Sequence, residues 1–235
     1  MNKACLFLIP TTLGDSNPTD VFPQIVTDVV KRTTYFIVEN EKTARRFIKL
    51  VCPEKKQSEL VIFQLDKHDK SAYLNEFIQP LLQGNDVGLL SEAGLPAIAD
   101  PGSLVVSLAH NNKLCIKPLV GPSSLLLALM ASGLNGQNFA FHGYLPKDTN
   151  ELKRKIKFFE QISIKDNSAH LFIETPYRNN RLLMSLLKYL NKNTRLTIAT
   201  DLTLTTEFIA TLPVSKWMNN LPDLHKRPTV FIFQA

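Results

Sequence analysis

Cysteine, tryptophan and long apolar runs are scarce in this chain of 235 residues, which contains three cysteines and one tryptophan. The cysteines are isolated, and no spacing resembles a zinc site. Cys5 and Cys115 lie in apolar runs, so we expect buried thiols there. No run approaches ~20 apolar residues, and the N-terminus lacks the apolar core of a signal peptide. These absences predict a cytoplasmic protein with no membrane span and no metal site.

Several common catalytic and nucleotide-binding motifs are also absent. The loop after the first apolar run holds a single glycine, Gly14, and not the G-x-G-x-x-G fingerprint of dinucleotide-binding proteins. The sequence supports no P-loop and no Ser-His-Asp arrangement. The histidines are scattered, and each is expected to be an ordinary surface or hydrogen-bonded side chain: His68, His110, His142, His170 and His225.

What the chain does have is an uneven distribution of charge. Its net charge is +6, and residues 118–235 carry 14 Lys and Arg against 8 Asp and Glu, whereas residues 1–117 carry 13 of each sign. Such an asymmetry between halves indicates a polyanionic partner. A solvated lysine-rich surface explains the same excess equally well.

Apolar runs with the length of strands alternate with amphipathic runs along the chain. Predicted strands cover residues 4–9, 35–38, 60–63, 87–90 and 114–119. The pattern restarts after an apolar helix at 123–131, with strands at 139–141, 171–173, 196–200, 207–211 and 230–233. Alternating strands and helices imply a parallel sheet covered on both faces. We therefore predict two α/β domains, residues 1–117 and 118–235, each with a central, mostly parallel sheet flanked by helices.

The most informative stretch is VGLLSEAGLPAIADPG, residues 87–102. A buried strand ends there in a long loop of small residues, in which Gly94 can adopt a positive φ at no steric cost. The loop also carries two acids, Glu92 and Asp100, and two prolines. Ligands of open α/β sheets bind beyond the carboxyl ends of the strands. A ligand-binding loop is favoured over a merely structural connection, because ordinary connections run about two to six residues.

A second candidate site is FIETPYR, residues 172–178. A carboxylate, Glu174, stands at the end of a predicted strand, and Arg178 follows four residues later. The two side chains are candidates for a catalytic or binding role. A structural ion pair between them is at least as consistent with this spacing.

Seven short motifs, in order along almost the whole chain, resemble one known family. The motifs are LIPTTLG (8–14), SEAGLP (91–96), ADPG (99–102), GPSS (121–124), GYLP (143–146), IETPYR (173–178) and DLT with a following Glu (201–207). In turn they resemble (V/I)PTPIGN, SDAGTP, DPG, GPSA, GFLP, YESPHR and RELTK…E. The motifs of this second set are those of the tetrapyrrole methylase superfamily of S-adenosylmethionine-dependent methyltransferases, which the chain therefore resembles. Within it, the chain is most similar to the small-subunit rRNA (cytidine-2′-O)-methyltransferase subfamily.

The resemblance implies a tetrapyrrole methylase-like enzyme that forms a homodimer and binds S-adenosylmethionine in a cleft between its two domains. By their place in the motifs, the implied cofactor-binding residues are Ser91, Glu92, Ala93, Gly94, Pro96, Ile98, Ser123, Ser124, Ile173, Glu174, Ala199, Thr200 and Thr229. The expected partner is rRNA or the small ribosomal subunit, with no membrane and no metal involved. Its candidate binding residues are Pro10, Thr11, Thr12, Gly14, Arg178, Lys226 and Arg227.

A hydroxyl acceptor must also lose its proton, and Glu39, Glu92 and Glu174 are candidate acceptors of that proton. The chain departs from the subfamily pattern in four places, which include Asn40, Glu92, Thr200 and Pro228. The cofactor motifs match better than the acceptor-side motifs. Two alternatives therefore stay open: a methylase of a tetrapyrrole or other small molecule, and a non-catalytic descendant that binds S-adenosylmethionine or RNA.

Overall fold

The computed structural model describes residues 4–65 and 74–235. The sequence also predicts a helix at 71–83, and the start of that helix and His68 lie outside the described residues. The chain divides into two compact units, Met1–Ser123 and Ser124–Ala235. The division follows Ser123 rather than residue 117 because the segment after the fifth strand packs on the first unit. The backbone N–H of Leu119 donates to the carbonyl of Leu8 over 3.0 Å.

The first unit alternates strands and helices. Its strands are β1 (Cys5–Ile9), β2 (Tyr35–Val38), β3 (Val61–Gln64), β4 (Val87–Leu90) and β5 (Cys115–Pro118). Its helices are α1 (Pro18–Val21), α2 (Gln24–Arg32), α3 (Glu41–Val51), α4 (Leu74–Leu82) and α5 (Ser103–Asn111). The strand order is β3-β2-β4-β1-β5, and every pairing is parallel. The α/β class and the parallel sheet predicted for this half are confirmed.

Helices cover both faces of this sheet because successive side chains of a strand point to opposite faces. In β1, Phe7 packs with Val29 of α2 in one buried cluster, and Leu6 packs with Ile78 of α4 in the other. All four residues of β4 are buried, as expected for a central strand covered on two sides. Because all five strands run in one direction, the loops that follow them meet at one edge of the sheet.

The second unit has a different sheet. Its strands are β6 (Phe139–Tyr144), β7 (Ala169–Ile173), β8 (Arg195–Thr200), β9 (Phe208–Pro213) and β10 (Thr229–Gln234). Its helices are α6 (Ser124–Ser132), α7 (Thr149–Asp166), α8 (Asn179–Tyr189) and α9 (Val214–Trp217). The strand order is β6-β7-β10-β8-β9.

The prediction of a mostly parallel sheet is wrong for this second unit. Only β6 and β7 pair in parallel, whereas β10 pairs antiparallel with both β7 and β8, and β8 pairs antiparallel with β9. Residues 201–207 connect β8 to β9, and that segment is too short for the crossover a parallel pair requires. The amino end of β10 and the carboxyl ends of β7 and β8 consequently share one edge.

Two histidines that are distant in sequence meet in the second unit. His142 and His170 lie on neighbouring strands, with 2.7 Å between Nε2 of His142 and Nδ1 of His170. Phe159 of α7 stacks on the His142 ring at 3.8 Å between centroids. Burial lowers the pKa of both imidazoles, to about 4 for His142. The pair is therefore neutral at pH 7 and forms part of the core packing.

Cys5 and Cys115 form a disulfide, so the prediction of two buried thiols is wrong. The two residues are register partners on the adjacent parallel strands β1 and β5, with their Cα atoms 4.6 Å apart. Because the two cysteines are 110 residues apart in sequence, no local pattern indicated that they lie close together. Cys52 is free and buried, and burial raises the pKa of its thiol.

We expect one titratable thiol per chain when the protein is purified without reductant and then unfolded, because only Cys52 is free. Reduction before unfolding should raise the number to the three cysteines of the sequence. A thiol-specific chromophore measures both values. The Cys52→Ser variant is the control and should give no thiol before reduction. Three thiols in the unreduced wild type would contradict the bridge.

Candidate functional site

The loops at the carboxyl edge of the first sheet are joined by a small network of hydrogen bonds. The backbone N–H of Thr11, which follows β1, donates to the carbonyl of Gly94 over 2.9 Å. The Ser91 hydroxyl donates to the same carbonyl over 2.9 Å and lies 3.4 Å from the Thr11 hydroxyl. The loop after β4 is thereby fixed against the loop after β1, and the motifs at 8–14 and 91–96 are neighbours in space.

Two glycines at this edge permit close approaches that a side chain would block. Gly94 has a φ of +76°, and a Cβ added there would lie 3.1 Å from Leu13 Cδ2 and 3.3 Å from the Pro122 carbonyl oxygen. A Cβ added to Gly121 would lie 2.3 Å from Pro10 Cβ. Glycine is therefore required at both positions for this loop arrangement.

The residues of the loop after β4 that the sequence assigns to the cofactor differ in exposure. Ser91, Gly94 and Pro96 are buried, and Glu92, Ala93 and Ile98 are exposed. The Glu92 carboxylate accepts a hydrogen bond from the Thr43 hydroxyl of α3 over 2.7 Å. Asn40, which begins α3, caps it by accepting from the backbone N–H of Lys42 over 2.9 Å. The cap places the first turn of α3 beside Glu92.

Sequence reasoning did not assign a role to Asp100, yet the structure pairs this residue with Glu39. Asp100 Oδ1 accepts hydrogen bonds from the backbone N–H groups of Gly102 (2.6 Å) and Ala97 (3.2 Å). Burial, together with a hydrogen bond to the Glu39 carboxyl and its charge, raises the pKa of Asp100 to about 6. Glu39 directly follows β2 and Asp100 lies in the loop after the adjacent strand β4. The pair can hold and release one proton near neutral pH.

The predicted acceptor-side residues of the first unit lie at the same edge. Pro10 and Thr11 are buried, and Thr12 and Gly14 are half-buried. Gly14 lies in a turn in which its carbonyl accepts from the Ser16 N–H over 2.9 Å.

Among the residues the structure describes, no group of three or more His, Cys, Asp or Glu side chains could hold a metal ion. No helix in the described ranges is long and apolar enough to cross a bilayer.

The second unit gathers its predicted cofactor residues at one edge of its sheet. Thr229 pairs in register with Thr200, and Val230 pairs with both Ala199 and Ile173. The Thr229 hydroxyl donates to the Thr200 hydroxyl over 2.9 Å, and the Thr200 hydroxyl donates to the Pro228 carbonyl over 3.0 Å. Four predicted cofactor-binding residues from three separate stretches of sequence are thus neighbours: Ile173, Ala199, Thr200 and Thr229.

Helix α6 brings Ser124 toward the same edge. The segment after its last turn reaches the carboxyl end of β10, where Asn135 N–H donates to Gln234 over 2.9 Å. The helix packs along β10, so its first residue, Ser124, points toward the end of the sheet at which β10 begins. Ser123 precedes the helix and closes the first unit. Both serines are half-buried.

Glu174 and Arg178 form an ion pair, as the structural interpretation of their spacing predicted. The Glu174 Oε1 atom also accepts from the Thr175 N–H over 2.6 Å, and only 8% of the side chain is exposed. Glu174 Oε1 is thus engaged by both the Arg178 guanidinium and the Thr175 N–H, and these contacts fix the segment between β7 and α8.

Arg227, predicted to bind substrate, is engaged within its own unit. Its Nε donates to Asp201 over 2.7 Å, and its Nη2 donates to the Thr206 carbonyl over 2.6 Å. Its own carbonyl accepts from Asn179 over 2.6 Å. These contacts join the turn after β8 to the segment before β10, so Arg227 has a structural role. Lys226 is exposed and remains available to a partner.

Sequence comparisons relate the chain to one kind of enzyme. No family model matches it. It is 28% identical over 211 residues to ribosomal RNA small subunit methyltransferase I of Vibrio cholerae, covering 90% of this chain and 69% of the relative. It is 28% identical over 184 residues to the protein of that name from Streptococcus pyogenes serotype M1, covering 77% and 59%. It is 27% identical over 185 residues to the Bacillus subtilis protein, covering 79% and 59%. The chain thus spans about three fifths to two thirds of these relatives' lengths.

Solved structures with a similar fold include methyltransferases. The methyltransferase CobJ superposes with a TM-score of 0.64 at 16% identity, covering 98% of this chain and 94% of CobJ. The cobalt precorrin-4 methyltransferase CbiF gives a TM-score of 0.60 at 11% identity, with the same coverage. Identities this low show the fold alone. The resemblance predicted from the seven motifs is confirmed by sequence and by fold.

Proposed function

Because the chain is similar in sequence to small-subunit rRNA methyltransferases and has the fold of tetrapyrrole methylases, we propose that it transfers a methyl group from S-adenosylmethionine to a ribose 2′-hydroxyl of small-subunit rRNA. The observation that carries the proposal is the similarity to these relatives over 77–90% of the chain. The hydrogen-bonded loops at the first sheet edge support it, because they contain the motifs that match the subfamily.

Each unit, taken by itself, has residues whose chemistry suits a part of S-adenosylmethionine, whose sulfonium would supply an activated methyl group. In the first unit, the loop at residues 91–98 is assigned the methionine part. Its backbone can approach a ligand closely because Gly94 lacks a side chain. In the second unit, the adenosine is assigned to the edge formed by Ile173, Ala199, Thr200 and Thr229, where apolar side chains exclude water and hydroxyls supply polar contacts.

The Glu39–Asp100 pair is the best candidate to accept the proton of the acceptor hydroxyl. Glu174 is engaged in an ion pair, and Glu92 is exposed and bonded to Thr43. Asp100 is fixed by two backbone N–H groups, and burial and the bond to the Glu39 carboxyl raise its pKa to about 6. We assign Glu39 as the group that takes the proton and Asp100, which bonds to it, as the residue that positions it.

Exposed cations on α7 support an RNA partner. Lys153, Arg154, Lys155 and Lys157 lie on its solvent side. Phosphate contacts of this kind orient a nucleic acid without reading its sequence.

An rRNA substrate would place the protein in the cytoplasm. The homodimer implied by the resemblance is part of the proposal, and sedimentation that detects only a 26.5 kDa species at micromolar concentration would contradict it.

A tetrapyrrole or other small molecule is the second candidate substrate. It is favoured by the name of one solved structure that shares the fold, the cobalt precorrin-4 methyltransferase CbiF. The excess of positive charge in residues 118–235 favours the RNA, because a polyanion would be attracted to that half of the chain.

Methyl transfer to small ribosomal subunits from cells that lack the native modification tests the proposal. We expect radiolabel from S-adenosylmethionine to enter rRNA, and nuclease digestion to release one 2′-O-methylated nucleoside. Mapping then identifies the nucleotide. Subunits that already carry the modification are the control and should accept no label. Labelling of a tetrapyrrole extract without labelling of RNA would support the second candidate instead.

A further inference from the structure

Cations at the carboxyl edge of the second sheet divide into two groups. Arg178 and Arg227 belong to ion pairs with Glu174 and Asp201. Lys147, Arg181 and Lys226 are exposed and form no ion pair with any residue of the described ranges. Unpaired cations on a surface attract a polyanion more strongly than cations whose charge a carboxylate already neutralises.

A pocket lies between the loops that follow β6 and β7. It is shallow and open to solvent, with a cavity volume of about 20 Å³. Its charged lining is Lys147, Arg178, Arg181 and Glu174, three cations against one acid. Arg181 donates to the carbonyl of Lys147 over 3.3 Å, so the two cations border each other. The Nε atom of Arg178 is buried and has no hydrogen-bond partner among the described residues.

Tyr177, which directly precedes Arg178 in sequence, presents its ring to solvent, with 71% of the residue exposed. His225 meets the ring edge-on at 5.9 Å between centroids, and Lys226 Nζ lies 6.0 Å from the ring centroid. An exposed aromatic ring beside cations resembles the stacking sites that proteins use for unpaired bases.

Backbone hydrogen bonds hold this group in place. The Lys226 N–H donates to the Pro176 carbonyl over 3.1 Å. Asp223 Oδ1 accepts from the Asn180 amide over 2.8 Å and from the His225 N–H over 3.0 Å. The segment before β10 is thereby fixed to the start of α8. The one acid of this segment is thus engaged in these bonds, and Tyr177 is a preformed surface.

We propose that this surface binds single-stranded RNA, with one base stacked on Tyr177 beside Lys226 and an adjoining phosphate in the pocket of Lys147, Arg178 and Arg181. We call this surface the Tyr177 platform. It consists of Lys147, Tyr177, Arg178, Arg181, His225 and Lys226. The identity of the ligand as RNA rests on the proposed function. A duplex would bind poorly because its bases are already stacked and cannot reach the ring. Stacking tolerates any base, so the Tyr177 platform positions RNA without selecting its sequence.

Fluorescence anisotropy with a labelled ten-nucleotide single-stranded RNA, using the full chain, tests the proposal. Tyr177→Ala should weaken binding roughly tenfold, the usual scale for loss of one stacked base, and Tyr177→Phe should bind as the wild type does. An oligomer of the same length with abasic riboses should bind wild type and Tyr177→Ala equally. The double variant Lys147→Ala, Arg181→Ala should lower the slope of log K against log salt by about 1.4, the value for two contacts to a single strand.

Matched controls lie at the opposite edge of the same sheet. Phe139 at the start of β6 is 42% exposed, and Lys192 precedes β8. Phe139→Ala and Lys192→Ala should leave RNA binding unchanged. Thermal unfolding verifies that each variant is folded.

Anisotropy reports on the Tyr177 platform, and methyl transfer by the wild type reports separately on the proposed function. Equal RNA affinity of Tyr177→Ala and wild type, or absence of RNA binding by the wild type, would overturn the assignment of the Tyr177 platform. If RNA binding depends on Tyr177 but no methyl is transferred, the assignment stands and the proposed function fails.

Discussion

Replacing Gly94 with valine should abolish binding of S-adenosylmethionine. The new side chain would have to occupy a backbone with a φ of +76°, and its Cβ would lie 3.1 Å from Leu13 Cδ2 and 3.3 Å from the Pro122 carbonyl. A branched residue in the left-handed region costs of order 1–3 kcal/mol before any clash is counted. The loop can relieve the contact only by moving the Gly94 carbonyl, which accepts hydrogen bonds from Thr11 and Ser91.

Isothermal calorimetry measures the effect, and we expect a loss of affinity of at least about 100-fold, because both loops that meet at Gly94 would shift. Gly84→Val is the matched control. Gly84 lies in the same unit with a φ of +87°, but no atom lies within 4 Å of an added Cβ. This variant carries the same backbone strain without the contact, so it should lower stability and keep cofactor affinity. Wild-type affinity in Gly94→Val would reject the assignment of this loop to the cofactor.

Local features of the sequence predicted the first unit well. The apolar runs predicted all five strands of its sheet. A central parallel strand is buried on both faces, so hydrophobicity alone identifies it. The loop at 91–96 was also located from its small residues and its place after β4.

Features that depend on long-range pairing could not be predicted. Cys5 and Cys115 meet only because β1 and β5 are neighbours, and no local pattern reports strand order. The position of β10 between β7 and β8, antiparallel to both, was not predicted, for the same reason. The contacts of the Arg227 guanidinium with Asp201 and with the Thr206 carbonyl also join residues that are distant in sequence, and no local pattern indicates them.

The Glu39–Asp100 pair shows the same limit at the candidate site. Each acid follows its own strand, and only the adjacency of β2 and β4 brings the carboxyl groups together. The Asp-Pro-Gly motif at 100–102 was a usable signal, because Asp100 Oδ1 accepts from the N–H of Gly102 two residues later. An aspartate that is fixed by backbone donors and faces a second acid is a candidate for proton transfer.

Replacing Glu39 with glutamine should lower the rate of methyl transfer by about 100-fold or more, the usual contribution of a positioned general base. The amide keeps the size of the side chain and cannot accept the proton of the acceptor hydroxyl. Cofactor affinity should stay close to the wild-type value, because the change leaves the Thr11–Gly94 contact intact. Glu41→Gln is the control. Glu41 is exposed on the first turn of α3 and pairs with Arg45, so its loss should leave the rate unchanged.

The pH dependence of transfer separates the two members of the pair. In the wild type, Asp100 is protonated below its pKa of about 6 and bonds to the Glu39 carboxylate, so the rate should rise as the pH increases through 6. Asp100→Asn removes the group that titrates near pH 6. The rise in rate near pH 6 should therefore be lost in this variant. Single-turnover rates between pH 5 and pH 8 measure this difference. A wild-type profile that is flat across that range, or full activity in Glu39→Gln, would contradict the role of the pair and return the proton acceptor to Glu92 or to solvent.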